Sequence, residues 1–365
     1  MRVLGVVTVL AVAGCEREPG AAPPPVRATL AEVFATEAVL ELGEDPQDSI
    51  SSPGVFAERP EGGFLLTDEH FPRVRSYDED GRLEAAFGRF GQGPFEFRGI
   101  SGVTATSSGR VVVFDSSQDR LTYLTRDLLP DTMVRIPGVA REGASLGEDL
   151  LLRVTLTAER PVGIARFVEQ PRLFHRLAGS EVVWSAFRLP FVPRERSYWS
   201  SYVWFPFAVA GDSIYVASSL RYPVVILSAA GDSIGEIGAP SASYRPFPVL
   251  EPGSLTPGRD AEQLPRLFGG SNTLTRISVL GSRLVLTHGV FRYPTASDAF
   301  TTFGSYHASL DIYDRHTGTK LYEDIPLPEG SRVLGGGRYL YVLDDRGFPP
   351  WRITKLKFRE TRPDG

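Results

Sequence analysis

Five short apolar runs in this chain close on a residue able to act on a ligand: Asp68, Asp115, Ser218, His288 and Asp344, with His70 two positions beyond the first. A sixth run closes on Val154. Three carboxylates, an imidazole and a hydroxyl brought to one place would suit a hard cation or a polar ligand. A divalent cation held there could polarise a carbonyl or activate a water. The competing reading is structural. Asp68 and Asp115 each precede an arginine by five positions, Arg73 and Arg120, and an Asp–Arg clasp would consume both carboxylates. A second cluster runs from Ser197 to Phe207 and includes Tyr198, Trp199, Tyr202 and Trp204. Such rings could stack on a sugar or a peptide, or simply pack between structural units.

Other motifs look like chemistry and lack its context. Gly143-Ala144-Ser145-Leu146-Gly147 has the G-x-S-x-G spacing of a nucleophile elbow, but a buried strand follows it where the elbow needs a helix. Gly211-Asp212-Ser213-Ile214 is repeated as Gly231-Asp232-Ser233-Ile234, and two copies at hairpin spacing read as turns. The glycines from Gly88 to Gly93 are followed by no Lys-Ser/Thr to cradle a phosphate, and no His-Glu-x-x-His pair is present. The chain therefore reads as a binding module for a protein, peptide or glycan. The alternative is a hydrolase or lyase with a divalent cation as cofactor at the residues above.

Those residues need elements to position them, and self-comparison supplies the elements. Gly63 opens Phe64-Leu65-Leu66-Thr67-Asp68, followed by a second strand, Arg73 to Tyr77. The same unit returns as Gly109, Val111 to Asp115, and Arg120 to Leu124. Weaker copies start at Gly147, Gly211, Gly281 and Gly337. A run apolar on both faces must be covered on both sides, as an inner strand between neighbouring sheets would be. Residues 33 to 358 shared among six units give about 54 each, the size of four-stranded propeller blades. The fold expected is all-β, a six-bladed β-propeller. Val33 to Leu42 would join Trp351 to Phe358 and close the ring. Reading Glu181-Val182-Val183-Trp184 as a blade start gives seven blades; taken as an outer strand of the third, it gives six. The ends of the six apolar runs would then encircle the mouth of the channel.

The pattern Arg73-Val74-x-x-Tyr77-Asp78-x-Asp80-Gly81, then Phe87-Gly88-x-x-Gly91-x-Gly93-Pro94-x-Glu96-Phe97, resembles NHL repeats, and the whole is similar to bacterial six-bladed propeller lipoproteins. Phe95 stands where the family has glycine, and Gln118-Asp119 replaces Gly-Asn. The resemblance implies that the Asp–Arg clasp is structural.

The start of the chain carries an address. Arg2 precedes an apolar run, Val3 to Ala13, too short to span a bilayer. Val12-Ala13-Gly14-Cys15 resembles a lipobox. Residues 1–14 then read as a signal peptide, Cys15 as the lipidated residue, 15–31 as a Pro-rich tether, 32–359 as the propeller and 360–365 as a tail. The partners expected are a membrane, reached through Cys15, and an envelope protein, peptide or glycan met by a monomer. Glu16 after the cysteine favours the outer membrane. Composition narrows the rest. Of 365 residues, 44 are acidic and 39 basic, a net charge of −5 with no basic block, which excludes nucleic acid as partner. One cysteine excludes internal disulfides. The 29 prolines and 37 glycines suit many short strands. The segment 244–268 reads as an insertion.

Overall fold

Short runs rich in β-branched and aromatic residues, punctuated by Gly, Asp and Pro, favour strands joined by tight turns over helices. The computed structural model describes residues 24–43, 49–136, 140–154, 172–188, 205–218, 221–246, 270–290, 307–347 and 349–359. One helical turn, α1 (Leu30–Val33), precedes β1 (Phe34–Leu42). Blade 1 is β2 (Pro53–Glu58), β3 (Phe64–Asp68), β4 (Val74–Tyr77) and β5 (Leu83–Phe87). Blade 2 is β6 (Ile100–Ala105), β7 (Val111–Asp115), β8 (Arg120–Leu124) and β9 (Pro130–Arg135). Blade 3 is β10 (Ala140–Leu146), β11 (Asp149–Val154), β12 (Arg172–Ala178) and β13 (Glu181–Arg188). Blade 4 is β14 (Phe207–Ala210), β15 (Ser213–Ser218), β16 (Arg221–Ser228) and β17 (Ser233–Ile237). Blade 5 is β18 (Asn272–Leu280), β19 (Arg283–Val290), β20 (His307–Asp314) and β21 (Lys320–Pro326). Blade 6 is β22 (Ser331–Gly336), β23 (Leu340–Asp344) and β24 (Trp351–Phe358), with β1 as its outer strand. The six-bladed propeller is the fold, and β13 is the outer strand of blade 3.

Burial peaks on the second strand of each blade. β3 and β7 are buried at every position, while the outer strands β5 and β9 are half-buried to exposed. That places the apolar runs one strand out from the channel, whose wall is made by the first strands. The sequence reading that set them at the channel itself is corrected on this point. Being apolar on both faces marks a strand covered by both neighbouring blades. Six apolar clusters fill the six spaces between blades: Leu65 and Val74 meet Val103, Val111 and Val113 between blades 1 and 2, for example. Burial of each such side chain contributes about 1.5–3 kcal/mol.

Blade 6 joins the two chain ends. β1 runs antiparallel to β24 from the Phe34–Phe358 pair to the Leu42–Trp351 pair. Side chains then tie blade 6 to blade 1. The Trp351 indole donates to the Ile50 carbonyl at 2.9 Å. Glu58 accepts from the Arg338 N–H at 2.7 Å and the Tyr341 hydroxyl at 3.0 Å.

The elbow-like motif is structural. Ser145 lies within β10 opposite Leu150. Gly143 lets that strand approach blade 2, since a Cβ there would stand 2.5 Å from Cζ of Phe114, and Gly147 turns the hairpin at φ +66°. Gly211 and Gly231 likewise occupy turns at positive φ.

Candidate functional site

Antiparallel blades give the channel two unlike ends. At the end where first strands finish, every described connection is short: Gly211-Asp212 joins β14 to β15, and Gly281-Ser282 joins β18 to β19. At the other end the connections of blades 3 to 5 are long, with residues 155–171, 189–206, 238–271 and 291–306 leaving and rejoining the sheets there. Phe71 and Phe90, 63% and 70% exposed, sit on connections at the same end. Blade hydrogen bonding fixes the strands, so the long connections are where sequence can vary without cost to the fold.

A cavity of about 510 Å³ opens at the short-turn end. Its charged lining includes Glu58, Arg59, Glu142, Arg276 and Arg315, with no His or Cys. Several of these are engaged in the wall. Arg59 pairs with Glu84 at 2.8 Å, and Glu142 with Arg153 at 3.0 Å. Burial pushes the Glu58 carboxyl up, only partly offset by the Arg338 N–H and the Tyr341 hydroxyl.

The candidate ring lies at the opposite end, on second strands. Asp68 pairs across to Pro53, Asp115 to Ile100, Val154 to Ala140, His288 to Leu274 and Asp344 to Ser331. Ser218 ends β15 opposite Arg221. The two buried aspartates serve as loop clasps. Asp68 accepts from the Ser51 N–H (2.7 Å) and hydroxyl (2.5 Å) and from the N–H groups of His70 (3.0 Å) and Phe71 (3.1 Å). Asp115 accepts from the N–H groups of Arg98 (2.9 Å) and Ser117 (3.0 Å) and the Gln118 amide (2.6 Å). Ser51 and Arg98 stand at the same offset, 17 positions ahead of their aspartates, so the device repeats between blades. Burial alone would raise the Asp68 carboxyl, but bonds from Ser51, Phe71 and His70 outweigh it and hold the pKa below the ordinary value.

The arginine partners differ from the expected ones. Asp68 faces Arg75 at 3.9 Å, while Arg73 contributes its carbonyl to the Asp68 N–H. Arg120 donates to the carbonyls of Gly93 and Glu96. His70 is exposed, with Nδ1 3.3 Å from the Ser51 hydroxyl, and Asp344 is bound by Arg346 at 2.9 Å. Tyr198, Trp199, Tyr202, Trp204 and Cys15 lie outside the described residues, as does most of 244–268.

Among the described residues, His288 alone of the ring candidates joins a metal-like group, with Asp311 and Asp324, whose ligand atoms all lie within 4.8 Å of one another. His288 Nε2 is 3.4 Å from Asp311 Oδ1 and 3.8 Å from Asp324 Oδ1. Asp311, fully buried, is also met by the Tyr222 hydroxyl (3.1 Å), Lys320 Nζ (3.5 Å) and the Asp324 N–H (3.0 Å). Burial would raise its carboxyl; the bond and charge of His288, the Asp324 N–H and Lys320 hold it low. The far side of the imidazole decides its tautomer. Asn272 Oδ1 accepts the Arg245 N–H at 3.1 Å, which turns Nδ2 toward His288 Nδ1 at 3.4 Å. In a neutral imidazole that arrangement would put the proton on Nε2, aimed at the carboxylates. A metal-bound histidine instead carries the proton on its other nitrogen and donates it to an acceptor. A cation could enter between the three groups only if Asn272 reversed and the Arg245 N–H lost its partner. As built, the group is a hydrogen-bond network joining blade 4 to blade 5. Asp311, Asp324 and Tyr222 escape sequence reasoning because they sit on third and fourth strands; the available signal was one carboxylate inside the apolar run Leu310-Asp311-Ile312.

No family model matches the sequence, and no curated protein matches it. Solved structures do. A predicted exported protein from Bacteroides fragilis is 10% identical, with a TM-score of 0.62 over 92% of this chain and 98% of that one. A member of the DUF4221 family from Bacteroides vulgatus is 11% identical, with a TM-score of 0.63 over 90% of this chain and 98% of that one. At these identities the likeness is one of fold.

Proposed function

We propose that this chain is an exported, lipid-anchored propeller that binds a protein, peptide or glycan of the cell envelope on its long-connection face. The observation that carries the reading is the asymmetry of the connections: at one end every described connection is a tight turn, while the long connections of blades 3 to 5 leave the strands at the other, where Phe71 and Phe90 are exposed. The lipobox-like Val12-Ala13-Gly14-Cys15 supports the anchor, and the likeness to a predicted exported protein supports an address outside the cytoplasm. Among the described residues no helix is long and apolar enough to cross a membrane.

The test is a panel of envelope glycans and peptides probed with the full chain and with a variant in which residues 155–171 are replaced by a short turn. Binding by the wild type, lost in a variant of unchanged melting temperature, is the expected result. Equal binding by both, or binding by neither, contradicts it. A second reading, a metal-dependent hydrolase or lyase, is favoured among the described residues by His288, Asp311 and Asp324. Stoichiometric metal in the purified protein, lost on His288→Ala without unfolding, would establish that reading in place of the first.

A further inference from the structure

The described end of the N-terminal segment, residues 24–28, docks on the propeller. Pro24 to Ala28 lies along the outer edge of blade 5, where Val26 forms a parallel bridge to Tyr322. The Val26 N–H donates to the Leu321 carbonyl at 3.0 Å, and the Glu323 N–H donates to the Val26 carbonyl at 3.2 Å. Ala28 and Leu30 then pack into the apolar space between blades 5 and 6, where Val33 and Phe34 are almost wholly buried. Arg359 fastens the following turn by donating to the carbonyls of Ala31 and Phe34. Arg27 adds loose ion pairs to Glu323 (3.7 Å) and Asp324 (3.9 Å).

The direction of this edge strand carries the consequence. β21 starts from the short turn after β20 and runs toward the long-connection end. A strand parallel to it runs the same way, so Pro24 lies nearer the short-turn end than Ala28 does. A stretch from Cys15 to Pro23 reaches at most roughly 30 Å, whatever its path.

The geometry points to a preferred orientation on the membrane: the docked residues 24–28 bias the short-turn end of the propeller toward a lipid surface and the long-connection face away from it. This rests on the lipidation of Cys15 in the preceding section. Among the described residues the charges at that end are mixed, as with Asp78, Asp80 and Arg82 on one turn, so the docked segment rather than attraction to anionic headgroups is the proposed source of the orientation.

The experiment uses the full lipidated chain on phosphatidylcholine–phosphatidylglycerol vesicles carrying an acceptor dye at the headgroup. A donor dye is placed on Ser282→Cys at the short-turn end or on Glu329→Cys at the other, positions separated by about one strand length, roughly 20 Å. Transfer is expected to be stronger from Ser282→Cys. The difference should vanish in Val26→Pro, which removes the N–H bonded to Leu321 while the propeller melts as before. Equal transfer from both sites, or stronger transfer from Glu329→Cys, on chains that do bind the vesicles overturns the orientation alone. Failure of the wild type to bind vesicles, or binding by Cys15→Ser as strong as wild type, overturns the anchor and the orientation with it.

Discussion

At the scale of single residues, an aspartate that looks like a ligand and an aspartate that ties a loop differ in how many donors already reach them. Asp68 and Asp115 each have their oxygens filled by N–H and side-chain donors from the entry segment of their own blade and from the residues just after them. Asp68→Asn or Asp115→Asn should cost about 1–3 kcal/mol in urea unfolding at neutral pH, because buried donors lose a charged acceptor. The sign of the pH effect follows from the depressed Asp68 pKa. Its contribution is present above the unfolded value and disappears as pH falls through the folded one. The variant should therefore lose less stability than wild type over that acidic range. Glu58 has the opposite sign: its raised pKa means a contribution present below the unfolded value and lost as pH rises through the folded one. Phe95 and Asp119, at positions where the sequence resemblance leads one to expect glycine and asparagine, adopt φ of +58° and +48°. The backbone thus keeps the turn at the expense of local strain, about 1–2 kcal/mol for a side chain in the left-handed region. Phe95→Gly should leave the melting temperature near wild type or raise it, whereas Phe97→Ala, at a fully buried ring, should cost about 3–5 kcal/mol.

At the scale of elements, the strand rhythm was legible because burial on both faces leaves an unbroken apolar run, and Phe64 to Asp68 or Val111 to Asp115 show it plainly. Which strand of the blade such a run becomes was not legible. First strands such as β2, only half-buried at four of its six positions, carry a weaker apolar signal than the second strands. The runs were therefore placed one strand too close to the channel, and the candidate ring moved with them. The His288 network was half visible: His288 ends a run, but Asp311, Asp324 and Tyr222 come to it from other strands and another blade. Blade 6 makes a stability prediction of its own. Phe34 packs on Phe358 at 5.6 Å in the strand pair that joins the chain ends. Phe34→Ala should cost about 3–5 kcal/mol and expose the edge of β24 to proteolysis before the other blades. Simultaneous loss of all blades would count against an end-joining role for β1.

At the scale of the whole molecule, six blades of one construction surround a channel whose two ends differ in kind. Tight turns mark one end; long connections and exposed phenylalanines mark the other. A scaffold with long connections on one side and tight turns on the other suits the proposed molecule, anchored by one face and binding with the opposite one. The central claim is which face binds. A photo-reactive phenylalanine analogue placed at Phe71 or Phe90, or at Leu129 on a short turn, substitutes three side chains that are each more than half exposed. Illumination of intact cells should give one discrete cross-linked species from Phe71 and Phe90 and none from Leu129. Cross-linking from Leu129 alone, or from none of the three above the unilluminated background, would contradict the account.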